Sequence, residues 1–148
     1  MQKNTLLKHF FRSSYFFVVF VFLISIDQFF KYKIRHSGGF YFCNKGISFG
    51  IKMPDIVFWL VLIIFFLIGM FFLQRKESFS GLFLLGLSFF IGGTLSNVVD
   101  RFFFGCVLDY ITLFQKIIPV FNLADVGIFL GSCFVFFDLL PKIPSKSG

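Results

Sequence analysis

Four stretches of the chain run almost without polar positions, and each is close to the length that a helix needs to cross a bilayer. Residues 13–30 are interrupted by a single charge, Asp27. Residues 56–73 and 79–99 carry none, and residues 117–137 hold only Asp125. A spanning helix takes about 20 mostly apolar residues, so the pattern predicts spans of about 13–33, 56–73, 79–99 and 117–139. Lys3, Lys8 and Arg12 precede the first stretch as they would in a signal peptide. No small-x-small cleavage site follows it, so an uncleaved span is expected. Gly81, Gly86, Gly92 and Gly93 in the third stretch predict close helix approach, since small residues let backbones meet in lipid.

The polar intervals complete the outline. Residues 31–55 form a long connection in which Ser37-Gly38-Gly39 reads as a turn and residues 39–51 have room for short strands. Residues 100–116 form a second long connection, and the link between the second and third stretches is short. Four spans then put both long connections on one side of the membrane and both termini on the other. One domain, residues 1–148, is expected at this length.

Composition agrees with the pattern. Of the residues 57% are hydrophobic and 14% are charged, against about 25% charged in a soluble domain, and the mean hydropathy is +0.90. Phe occurs 29 times; lipid accepts Phe as readily as Leu, so drift in base composition explains it without a function. The net charge of +7 does not point to nucleic acid, because no basic run exceeds two residues and no basic helix is free to dock. The basic residues lie mostly at span ends, where they meet headgroups. They do not orient the chain. Lys3, Lys8, Arg12, Arg75, Lys76, Lys142 and Lys146 fall on the termini side, and Lys31, Lys33, Arg35, Lys45, Lys52, Arg101 and Lys116 fall on the loop side, a tie at seven each. Cys43, Cys106 and Cys133 show no metal spacing, and no metal or cofactor is expected. Small apolar cysteines are usual in membrane helices, so unpaired cysteines are the expectation. A Cys43–Cys106 disulfide is the alternative if both face an oxidising compartment.

Seven acids remain. Asp55 and Glu77 belong to connections, and Asp138 reads as an exposed helix pair with Lys142. The other four lie near hydrocarbon, where a carboxylate costs about 2.5–3.5 kcal/mol and is seldom idle. Asp27 with Lys31 four residues on, and Asp100 beside Arg101, are explained as well by structural pairs or caps as by chemistry. Asp109 and Asp125 are the informative two, since both can reach the same membrane–water boundary. Carboxyls that meet in a low-dielectric site do not both ionise comfortably. The charged one can take a proton from water while the protonated one donates to a carbonyl oxygen. The chain has no GxSxG, HExxH or phosphate-cradling loop, and His9 and His36 read as surface residues.

These residues fall into blocks that resemble a known family. Gly92-Gly93-Thr94-Leu95-Ser96-Asn97-Val98-Val99-Asp100-Arg101 looks like the GGAxGNxxDR pattern of lipoprotein signal peptidases. Gly105-Cys106-Val107-Leu108-Asp109-Tyr110 is similar to GxVxDF and Phe121-Asn122-Leu123-Ala124-Asp125 to FNxAD. Asp27-Gln28-Phe29-Phe30-Lys31 resembles DQxxK, and Asn44-Lys45-Gly46-Ile47-Ser48-Phe49 resembles NxGxxF. The five blocks stand in the family's order over nearly the whole chain.

The resemblance implies an all-α fold of four transmembrane helices with a small extracytoplasmic β-rich segment between the first two. It implies a bacterial cell (inner) membrane aspartic endopeptidase, signal peptidase II, that cuts diacylglyceryl-modified prolipoproteins before the lipidated cysteine. By the same likeness Asp109 and Asp125 are catalytic. Asn44, Asn97, Arg101 and Asn122 line or support the site, and Asp27, Lys31 and Asp100 stabilise it. Both termini are expected in the cytoplasm and the site at the extracytoplasmic side. The expected partners are the lipidated precursor and membrane phospholipid, with no nucleic acid, and the chain is expected to be a monomer. The chain departs from the family pattern at Ser96, often Gly; at Tyr110, usually Phe; and at Ile47-Ser48, more often Ala-Ala. The rival class is a small four-span proton-coupled transporter with Asp27 as its acid, against which stand the long connections and the placement of Asp109 and Asp125. Leu130-Gly131-Ser132-Cys133 imitates a lipobox, but inside the last span it is read as helix packing.

Overall fold

The computed structural model describes residues 2–46, 79–114 and 117–140, with residues 56, 60 and 63 between them, and side chains from residue 14 onward. Along the chain come helix α1 (Gln2–Ser37), strand β1 (Phe42–Asn44), helix α2 (Gly81–Phe104), strand β2 (Val107–Asp109) and helix α3 (Leu123–Leu139). Two helical stretches, Ser14–Ser37 and Gly81–Phe104, are long and apolar enough to cross a membrane by length and composition. Helix α3, with 17 residues, stands at the short end of the roughly 17–25 that a span takes. The predicted span over 56–73 lies outside the described residues except for Ile56, Leu60 and Ile63, which are helical.

The helix ends differ from the predicted spans for local reasons. Helix α1 runs on to Ser37 because no breaker intervenes before Gly38, whose φ of 76° suits a residue without Cβ. Helix α2 opens on Ser80, whose Oγ accepts the Phe83 N–H at 3.0 Å. It closes four residues beyond Asp100, on Gly105 at φ 71°, whose N–H returns to the Arg101 carbonyl. Helix α3 starts at Leu123 rather than near 117. Pro119 lies in the apolar run ahead of it and Asn122 supplies the cap, so that run is a loop.

Helices α2 and α3 pack backbone to backbone. A Cβ on Gly93 would collide with the Ala124 carbonyl oxygen, and one on Gly131 would stand 2.5 Å from the Phe90 nitrogen. Gly86 meets the Gly131 carbonyl in the same way, while Gly92 faces Phe20 and Leu23 of α1. Gly81, expected to share this role, has open space around it. The lipobox-like Gly131 is thus a packing residue. At the far end of the pair, Ser80 Oγ donates to Asp138 Oδ1 at 2.6 Å. This gives Asp138 a partner on α2; Lys142 lies outside the described residues.

Burial runs opposite to that of a water-soluble domain. Among the described residues the buried apolar side chains are Leu23, Val107, Leu108 and Ala124. The buried polar ones are Asp27, Lys31, Ser88, Ser96, Asn97, Asp100, Asp109 and Asn122. Phe17, Val18, Phe22, Phe129, Phe136 and Phe137 are exposed on α1 and α3. Polar groups inside and aromatic side chains outside suit a solvent of hydrocarbon tails, where intramembrane charges turn inward and pair.

The sheet is an antiparallel pair with Phe42 opposite Asp109, Cys43 opposite Leu108 and Asn44 opposite Val107. The strands expected within 39–51 contribute only half of it; the partner β2 comes from the second long connection. Cys43 and Cys106 form a disulfide with their Cα atoms 5.5 Å apart, which corrects the expectation of unpaired cysteines. Cys133 is free. An isolated bridge between Ile111 and Phe121 closes the loop after β2 and returns the chain to the start of α3 beside Asp109.

Candidate active site

Helix α1 places Asp27 and Lys31 one turn apart on a buried face. Lys31 Nζ lies 2.7 Å from Asp27 Oδ2 and 2.9 Å from Asp100 Oδ2 of α2, with all three side chains fully buried. The same ammonium donates to Asn97 Oδ1 at 2.9 Å. A buried carboxylate is tolerable only when paired and hydrogen-bonded, and each of these is. Ser96 Oγ donates to Asp27 Oδ2 at 2.6 Å, and Gln28 Nε2 reaches Ser96 Oγ and Asp100 Oδ1. Ser96, a departure from the family pattern, is therefore a working member of the network. Sequence alone does not mark Ser96 or Gln28 as site residues, although both lie inside the motif blocks that carry Asp27 and Asp100.

The two carboxylates of this triad also hold backbone. Asp100 Oδ2 accepts the Leu108 N–H at 3.1 Å, and Asp27 Oδ1 accepts the Ala124 N–H at 3.0 Å. Leu108 immediately precedes Asp109, and Ala124 immediately precedes Asp125. One ammonium on α1 thereby fixes, through two carboxylates, the backbone ahead of both acids.

Three asparagines aim the side chains. Asn122 Nδ2 donates to Asp109 Oδ1 at 2.7 Å, and the Asn122 backbone N–H donates to Asp125 Oδ2 at 3.1 Å. Asn122 thus bridges the two carboxyls. Its Oδ1 accepts the Asp125 N–H at 2.9 Å, so Asn122 and Asp125 form the reciprocal capping box that starts α3,. Asn97 Nδ2 donates to Asp125 Oδ1 at 2.8 Å. Its Oδ1 takes both Lys31 Nζ and Asn122 Nδ2, and two donors at one oxygen leave only one orientation for that amide. From β1, Asn44 Nδ2 donates to Asp109 Oδ2 at 2.9 Å. Arg101 Nη2 donates to the Gly46 carbonyl at 2.7 Å, which ties α2 to the loop that follows β1.

Electrostatics follow from this enclosure. Burial is the largest influence on Asp109 and pushes its carboxyl up to about 6. The donor from Asn44 opposes it, the Asp125 charge adds to it, and Asn122 and Lys31 hold it down. Tyr110 is pushed up to about 12, mainly by burial, so its hydroxyl keeps its proton at neutral pH. All nine residues singled out from the sequence meet here: Asp27, Lys31, Asn44, Asn97, Asp100, Arg101, Asp109, Asn122 and Asp125. His36 is exposed and its ring lies tilted against that of Tyr32. Among the described residues no cluster of metal-ligating side chains occurs.

Known proteins resemble the chain in sequence and in fold. A family model described as signal peptidase (SPase) II covers residues 19–141. The lipoprotein signal peptidase of Chlorobaculum parvum is 36% identical over 107 residues, 64% of this chain and 66% of that protein. That of Halothermothrix orenii is 40% identical over 96 residues, 62% of each chain. The matches thus span a little under two thirds of these curated relatives. A solved structure described as a bacterial membrane enzyme superposes with a TM-score of 0.73 at 24% identity, over 88% of this chain and 95% of that one, a likeness of fold.

Proposed function

Because the chain belongs to the signal peptidase II family, we propose that it is an aspartic endopeptidase that removes signal peptides from bacterial prolipoproteins. The observation that carries this reading is the pair Asp109 and Asp125, bridged by Asn122 and fixed from behind by Lys31. Asp109 takes side-chain donors on both oxygens, which oppose the burial that raises its carboxyl to about 6 and leave it ionised at neutral pH, and it serves as the base. It draws a proton from a water molecule as that water attacks the scissile carbonyl. Asp125 holds a proton and donates it to the developing oxyanion; as the gem-diol collapses and the C–N bond breaks, the proton taken by Asp109 passes to the leaving amine and one hydroxyl proton returns to Asp125. Held carboxyls need no reorganisation at the moment of attack, the general advantage of a preorganised polar site. No feature of the network requires a metal or a nucleophilic side chain.

The substrate is a precursor whose cysteine already carries a diacylglyceryl group, cut on the amino side of that cysteine. A site at the end of helices whose outer surface is apolar favours a substrate that arrives within the bilayer. In a reconstituted assay the purified protein is expected to cleave a lipidated precursor and to leave the same precursor without lipid intact. Equal cleavage of both would overturn the substrate assignment.

Two features support an extracytoplasmic site with both termini in the cytoplasm. A Cys43–Cys106 disulfide belongs to an oxidising compartment. Lys31 is enclosed between carboxylates and Arg101 is engaged with Gly46, so these two loop-side charges are not offered to headgroups, which tips the sequence tie in the sense of the positive-inside rule. The transporter reading has no comparable support, since Asp27 is committed to Lys31, Ser96 and the Ala124 N–H.

With Asp109 as base, kcat/KM is expected to fall as pH is lowered through about 6, where the carboxyl gains its proton. The Asn44 donor holds that carboxyl down, so Asn44→Ala moves the acid limb to higher pH. A pH–rate profile of the variant with an unmoved acid limb would remove Asp109 from the role of base.

A further inference from the structure

Strand β1 has little to hold it. It is three residues long, with Phe42 and Cys43 exposed and Asn44 half-buried, and it follows Gly38-Gly39 at the end of α1. A two-stranded ladder of this length is marginal by itself in water. Nevertheless β1 must present Asn44 to Asp109 within hydrogen-bond distance. Its attachments among the described residues are the ladder to β2, the Arg101 bond to the Gly46 carbonyl, the Gly46 N–H on Asn44 Oδ1 and the disulfide. The disulfide is the covalent one. Cys43 adjoins Asn44, and successive side chains of a strand point to opposite faces, so the bridge secures β1 from the face away from Asp109. Cys106 opens the turn that leads into β2 and lies three residues before Asp109. The bridge therefore joins the two short segments whose separation sets the Asn44–Asp109 bond.

Resting on the peptidase reading above, we propose that the Cys43–Cys106 disulfide is a positioning crosslink for the reaction, holding Asn44 against Asp109, and that full activity requires it to be oxidised. Cys43 is exposed and Cys106 half-buried, so a dithiol can reach the bridge. One dithiol sulfur attacks, a mixed disulfide forms, and the second sulfur closes the reagent's own ring. Two electrons and two protons pass to the protein, leaving two thiols. Chain closure across 63 residues is lost, β1 moves relative to β2, and Asp109 loses its Asn44 donor. The groups that face Asp109 from the other elements, Asp125 of α3, Lys31 of α1 and Arg101 of α2, remain in place.

The test compares the oxidised protein, the same protein treated with dithiothreitol, and Cys43→Ser/Cys106→Ser, each with and without Asn44→Ala, in cleavage of a lipidated precursor across pH. Reduction and the double serine variant are each expected to lower kcat by about tenfold, in keeping with the cost of small misplacements at a reacting centre. The acid limb moves to higher pH, and reoxidation restores both. In the Asn44→Ala background reduction leaves the acid limb where it is. A loss of rate without movement of the acid limb would mean that the bridge only stabilises the fold, and an unchanged rate would remove its role. Titration of the Asp109 carboxyl by infrared difference against Asp109→Asn, in oxidised and reduced protein, follows the same carboxyl without substrate. If no precursor is cleaved in any state, the peptidase reading fails while this titration still decides the crosslink: a carboxyl titrating at higher pH on reduction supports it, and an unmoved one overturns it.

Discussion

Asp109→Asn lowers turnover of a lipidated precursor by about 10³-fold, within the range that a positioned acid or base contributes, and leaves the protein folded. The two consequences have separate causes. The amide cannot take a proton from water, so the attacking step loses its base. Burial is what raises the Asp109 carboxyl, so replacing a charge that the site disfavours with a neutral isostere removes a penalty. The amide oxygen still accepts Asn122 Nδ2, whereas its NH2 faces the Asn44 donor, and this mismatch offsets part of the gain. Unfolding in detergent is therefore expected within about 1 kcal/mol of the parent protein. Asp125→Asn is as inactive but less stable, because its NH2 would meet the Asn122 N–H of the capping box and a lost cap costs about 1 kcal/mol. Cleavage by either variant above one tenth of the parent rate would dismiss the pair as the reacting groups.

Lys31→Met has the largest expected effect on stability. The side chain keeps a similar length, but Asp27 and Asp100 lose the ammonium that lies 2.7 and 2.9 Å away in a fully buried site. Removing one partner of a buried charge group costs about 3–5 kcal/mol, because the remaining charge is left uncompensated. Arg35 Nη2, at 3.9 Å from Asp100 Oδ1 and with its guanidinium over the Phe104 ring, is too distant to substitute. Activity falls as well, since the backbone before both acids hangs from these carboxylates. Adding Asp27→Asn and Asp100→Asn to Lys31→Met removes the stranded charges and is expected to recover most of the stability but not the activity. Thermal unfolding of the single and triple variants in one detergent measures this. A triple variant no more stable than the single one would show that lost packing, not stranded charge, is the cause.

How much of this is legible in the sequence depends on distance along the chain. Asp27 and Lys31 are four apart, and helical period alone puts them on one face. That Asp109 and Asp125 approach the same boundary follows from the apolar stretches. The start of α3 is hidden because residues 117–121 are mostly apolar and merge with the span, although Pro119 and the Asn122-x-x-Asp125 spacing are local signs of a cap. Strand β2 is too short to show a period of two. The groups that position the acids, the N–H of Leu108 and the N–H of Ala124, are backbone and leave no trace in residue type. The Cys43–Cys106 pairing joins residues 63 apart, beyond any spacing rule that applies here.

The capping box at the head of α3 has a consequence for biogenesis. The hydrogen bonds that let the helix begin at Leu123 are made by Asn122 and Asp125, and Asn122 is also the residue that grips Asp109. Nucleating the last helix and linking Asp125 to Asp109 are therefore a single event. A chain whose last helix starts one residue early or late forfeits the cap and the chemistry together. A newly inserted molecule thus gains its last helix and the grip on Asp109 together, and oxidation of the Cys43–Cys106 pair completes the centre from the other side.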